Sequence, residues 1–161
     1  MGQLKEAGGS VSRQRDGHLL AGGFFYGSGE IDRVTDYETG LHGHLTFRGD
    51  VGTEDPLIMD ERYLAAEVRG RGVTVLSACS HAGIVNACLS ARTTFAGSEI
   101  DLVLGGYHLA GGAMEQRIAS TIEDLDQLIA PKLVAPGTAR GGERKPHCQN
   151  ASRRRDTPRH S

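Results

Sequence analysis

Three short apolar runs alternate with two segments of helical periodicity in the second half of the chain, and that order admits few folds. GVTVLSAC (72–79) and IDLVLGGY (100–107) are apolar and rich in branched residues, at the length of a buried strand, and PKLVAP (131–136) makes a shorter third. Between the first two, SHAGIVNACLSARTTF opens with a polar cap candidate, Ser80, and sets Ile84, Val85, Cys88 and Leu89 on one helical face. Between the second and third, MEQRIASTIEDLDQLIA repeats Ile118, Ile122, Leu125 and Ile129 at helical spacing. Strand, helix, strand, helix, strand is the order of a parallel sheet with crossover helices, so the second half reads as α/β.

The first 61 residues are rich in Gly, Asp and Thr and carry only brief apolar patches such as LLAGGFFYG; they read as loops with short strands. RYLAAEVRG then reads as a strand or strand edge, and no internal repeat is evident. A chain of 161 residues supports one domain with a genuine core. No apolar run approaches the roughly 18 residues of a membrane span, and no hydrophobic segment follows the N-terminal charges. Cys79, Cys88 and Cys148 show no CxxC spacing, which fits a reducing cytoplasm better than a disulfide framework. The expectation is a cytoplasmic protein without a membrane partner.

Two histidines follow the apolar runs directly, His81 after GVTVLSAC and His108 after IDLVLGG. Functional groups of α/β sheets gather at the carboxyl ends of strands, so both imidazoles are expected on one rim. Either alone reads as a hydrogen-bonded or capping histidine; together they make a metal or acid/base site an equally good reading. Cys79 and His81 as nucleophile and base require the intervening turn to reorient a side chain. GGYHLAGG matches neither phosphate-binding glycine pattern in register and reads as a flexible turn. His42 and His44 form an HxH, but Leu45 to Arg48 supply no further ligand, so the pair reads as a surface loop.

CSHAGIVN (79–86) and GGYHL (105–109), together with FFYGSGEIDRVTDYETG and DPLIMDERYLAAEVRG, resemble the C-terminal half of a metallo-β-lactamase-fold hydrolase, in the dihydropterin (ribofuranosyl-aminobenzene phosphate) synthase-like branch. The resemblance covers residues 1–137. It implies an αββα sandwich to which this chain contributes one sheet and its helices. It also implies one or two zinc ions in complete relatives, with His81 and His108 as the metal ligands carried over, and a small-molecule substrate. The N-terminal half of such relatives, with its HxHxDH loop, is expected to be missing. The chain alone is then expected to be inactive, or to be a remnant or half-domain that pairs with a partner half. An isolated half exposes a broad apolar sheet face and is expected to self-associate through it.

The same relatives end their last core strand with PGHCTGW, where this chain reads PGTARGG and Thr138 takes the histidine's place. A hydroxyl is a poor zinc ligand beside imidazole. Loss of one C from GGC CAC TGC ACG GGG TGG AGA G, which encodes GHCTGWR, yields GTARGGE, the order of residues 137–143. Everything after Gly137 is therefore expected to be out of frame. Residues 138–161 carry 7 Lys and Arg against 2 Asp and Glu, whereas residues 1–137 carry 11 against 18. The tail lacks any large apolar residue to offset the cost of ordering it, so disorder is expected. Arg153, Arg154 and Arg155 lack interleaved aromatics, and no specific nucleic-acid partner is expected.

Overall fold

Strand alternation decides which side chains enter the core. The computed structural model describes residues 2–96 and 98–137; the basic tail from Thr138 onward, with Cys148 and the three arginines, lies outside the described residues. The strands are β1 (His18–Leu20), β2 (Phe25–Gly27), β3 (Leu45–Arg48), β4 (Val51–Glu54), β5 (Tyr63–Val68), β6 (Gly72–Ser77), β7 (Ile100–Gly105) and β8 (Leu133–Pro136). The α-helices are α1 (Gly2–Glu6), α2 (Ile84–Thr94) and α3 (Ile118–Asp124).

Six strands form one mixed sheet in the order β1-β2-β5-β6-β7-β8, and β3 pairs with β4 as a separate two-stranded ribbon. From β1 to β6 neighbours run antiparallel, whereas β6, β7 and β8 run parallel, as the alternation of strands and helices requires. Register places Ala65, Val75, Val103 and Val134 in one row across four strands, and the first three are fully buried. They form one core cluster with Ile84, Val85 and Cys88 of α2 and with Leu125 and Ile129. Burying each valine contributes about 1.5–3 kcal/mol. The adjacent row, Leu64, Leu76, Leu104 and Ala135, faces the other way. Here Leu64 and Leu104 are 41% and 39% exposed. Leu20, Phe25 and Val68 share that face by strand parity and are also exposed. One side of the sheet is thus a core, and the other is apolar without cover among the described residues.

Two helix expectations change. Ser80 does not cap α2: Gly83 stands at the N-cap with no side-chain hydrogen bond. The start of α2 is held from a distance by Glu38, whose carboxylate accepts the backbone N–H of Val85 at 3.0 Å and of Asn86 at 2.8 Å. Asn86 reciprocates, its Oδ1 accepting the N–H groups of Val34 and Thr35. The second helical segment is not uniform. A 3-10 turn (Gly112–Arg117) leads into α3, which continues as a π turn (Leu125–Ile129). Its buried stripe is Met114, Thr121, Leu125 and Ile129, whereas Ile118 and Ile122 are exposed. The π turn keeps Leu125 and Ile129 in the core cluster, and the small Thr121 takes the buried position one residue before Ile122.

Candidate metal centre

The carboxyl ends of β6 and β7 lie side by side because the two strands are parallel neighbours, with Ser77 opposite Gly105. Their exits carry the two histidines, whose ring centroids are 4.4 Å apart at an interplanar angle of 78°. Close approach of the two exits depends on glycine. A Cβ on Gly105 would collide with the Ser77 carbonyl oxygen, and one on Gly106 would press on that of Ala78. These glycines serve backbone contact, a stricter requirement than the flexible turn expected of GGYHLAGG.

Two residues without the glycine licence adopt positive φ here, Ser80 at 61° and His108 at 47°. Such backbone costs of order 1–3 kcal/mol per residue and persists where the surroundings impose it. The surroundings of Ser80 are explicit. Its hydroxyl hydrogen bonds to Ser77 Oγ at 2.7 Å and to the Gly106 carbonyl at 2.6 Å, tying the two strand exits together. The carboxylate of Glu61 accepts the His81 N–H at 2.9 Å and also the Ala82 N–H.

The turn brings a third group alongside the histidines. Cys79 Sγ lies 3.5 Å from His108 Nδ1. One ligand atom from each of Cys79, His81 and His108 can be chosen so that all three lie within 4.8 Å of one another, and all three residues are partly exposed. Among the described residues this is the single group of three or more His, Cys, Asp or Glu arranged for a metal ion. His44 stands elsewhere, with Nδ1 3.1 Å from the Asp55 carbonyl oxygen, and the exposed His42 joins no such group.

Burial disfavours the charged forms of Cys79 and His108. Burial lowers the pKa of His108, and His81 and Arg117 add to the shift. Burial raises the thiol of Cys79, and the Glu61 carboxylate adds to that. Both directions run against the thiolate and imidazolium of an activated cysteine nucleophile. Two imidazole nitrogens and a cysteine sulfur, which binds as thiolate once its proton is released, are donors that a borderline-soft cation takes, so the donor set fits zinc.

The histidines were visible in the sequence as residues ending apolar runs. Glu61 was not, since nothing in MDERYL separates a carboxylate that clamps a distant turn from a solvated one. Cys79 was visible as a residue, but its contact with His108, 29 positions away, was not.

No family model matches the chain, and no curated protein does. Among solved structures it is similar to the crystal structure of Tm1679, a metal-dependent hydrolase of the beta-lactamase superfamily. The TM-score is 0.63 at 22% sequence identity, over 80% of this chain and 46% of that one. The likeness shows the fold, a mixed sheet with helices packed on one side. The chain spans less than half the length of the protein it matches. None of the helices described is long and apolar enough to cross a membrane.

Proposed function

We propose that the chain is one half of a metal-dependent hydrolase of the metallo-β-lactamase fold, in the dihydropterin synthase-like branch, acting on a small molecule in the cytoplasm. His81 and His108 hold zinc in this reading. The observation that carries it is the convergence of two imidazoles at the ends of adjacent parallel strands, 4.4 Å apart between ring centroids. Zinc, when bound, supplies Lewis acidity that polarises the substrate and makes water a nucleophile near neutral pH. The chain's own residues orient the ligands: Glu61 and Ser80 fix the turn that presents His81, and the Gly105 and Gly106 approach fixes the loop that presents His108. The HxHxDH segment of the resemblance does not occur in these 161 residues, so hydrolysis requires that it come from further chain or from a partner.

Zinc content tests this reading. Purified protein is expected to carry zinc that the His81→Ala and His108→Ala variants lose. Wild-type protein with no more zinc than either variant overturns it.

A second reading rests on the apolar sheet face: the chain is a half-domain, or a non-catalytic remnant, that pairs through this face with a complementary half or with itself. Leu64 and Leu104 at its centre favour it, being far more exposed than central-strand leucines of a covered sheet. The TARGG that follows Gly137 belongs with the remnant form, in which a single-base shift stands behind the loss of the HCTGW that the resemblance implies. Resequencing the locus decides that point, since no shift that restores HCTGW means no frameshift.

A further inference from the structure

We propose that Cys79 is a third metal ligand, so that these residues carry a Cys–His–His centre of their own for a thiophilic divalent cation, zinc being the ordinary one. The proposal rests on the reading of His81 and His108 as ligands and adds the thiolate to it.

Distance is the first argument. Tetrahedral zinc bonds of about 2.3 Å to sulfur and 2.05 Å to nitrogen place those two ligand atoms about 3.6 Å apart. Cys79 Sγ and His108 Nδ1 are 3.5 Å apart. With the His81 donor all three atoms fall within 4.8 Å, so small side-chain rotations bring the set onto one ion.

Rigidity is the second. Cys79 and His81 flank Ser80, whose positive φ is imposed by hydrogen bonds to Ser77 and Gly106, and the Glu61 carboxylate clamps the next two N–H groups. The turn therefore presents sulfur and imidazole toward His108 before any ion arrives, which lowers the cost of assembling the site. Exposure is the third. All three residues are half-buried, leaving solvent access on one side, and three protein ligands with one open position is the arrangement of catalytic zinc. Cys88, by contrast, is fully buried in the core cluster and outside the group. On binding, the Cys79 thiol gives its proton to water and the sulfur lone pair forms the bond to the cation, with no change of oxidation state.

Cobalt(II) is the probe, in a Cys148→Ser background. At one equivalent, the protein is expected to show the strong visible bands of tetrahedral cobalt together with a near-ultraviolet thiolate-to-cobalt charge-transfer band, both removed by zinc. Cys79→Ser is expected to lose the charge-transfer band and to bind more weakly by at least the roughly 10- to 100-fold that loss of an outer partner costs. Cys88→Ala is expected to keep the band. As a measurement free of variants, zinc is expected to protect Cys79 from alkylation, read by peptide mass spectrometry. Cobalt bound without the charge-transfer band, or zinc that leaves Cys79 alkylation unchanged, overturns the thiolate ligand and leaves the histidine pair standing. No binding of either metal by wild-type protein overturns both.

Discussion

The carboxylate of Glu61 accepts the backbone N–H of His81 at 2.9 Å, a contact across 20 residues that fixes the turn bearing the histidine. Glu61→Ala leaves two donors of a half-buried turn, those of His81 and Ala82, without an acceptor. The expected cost is about 1–3 kcal/mol of stability. Zinc affinity is expected to fall on the order of 10- to 100-fold, as for outer partners of metal ligands. Calorimetric titration beside urea melts measures both, and unchanged affinity would remove Glu61 from the site.

Glu38 is the corresponding clamp on the helix. It is 3% exposed and holds the N–H groups of Val85 and Asn86 in the first turn of α2, so Glu38→Ala is expected to cost about 1–3 kcal/mol for each donor left unpaired. Gly83→Ala is expected to destabilise as well, because its Cβ would strike the Glu38 carboxyl. Chemical denaturation is the measurement, with an unchanged m-value expected in both variants.

Burial holds the Glu38 carboxyl above its ordinary value of 4.5, with the Asp124 charge adding to the shift and the two backbone hydrogen bonds opposing it. The folded chain therefore binds this proton more tightly than the unfolded chain does. The group's contribution is fully present below 4.5 and is lost as pH rises through the raised folded value. Unfolding free energy measured at a series of pH values is expected to fall across that interval, and Glu38→Gln, which has no such proton, is expected to flatten the slope. Identical slopes would show that Glu38 does not titrate on unfolding.

Gly105 has φ 144°, and a side chain there would meet the Ser77 carbonyl. Gly105→Ala is expected to force β6 and β7 apart at the rim, costing about 1–3 kcal/mol as overpacking does. It is also expected to weaken cobalt binding by displacing His108. Loss of stability with metal affinity intact would separate the strand contact from the site.

The row Leu64, Leu76 and Leu104 makes the uncovered sheet face the place where association should begin. Leu104→Lys is expected to reduce self-association, read by sedimentation velocity, while leaving the thermal midpoint within a few degrees, since Leu104 is already 39% exposed. Equal association in both proteins would exclude this face.

Local pattern was enough to place β5 through β8 and α2, because each strand alternates or runs apolar over a length that only a sheet position satisfies. The parallel pairing of β6, β7 and β8 followed from the helices between them. By the same logic His81 and His108 were legible as neighbours on one rim, since parallel strands carry their exits together. Tertiary structure decided what periodicity does not encode. It set which face of the second helical segment is buried, where Thr121 displaces Ile122. It made Ser80 a tie between strands in place of a helix cap, the capping passing to Glu38 from 47 residues upstream of Val85. It also brought Cys79 to His108. Hydrophobic alternation acts within a few residues and is written in the chain. A hydrogen bond or metal ligand set that closes over tens of residues depends on how two strand exits meet, and that meeting exists only in the folded molecule.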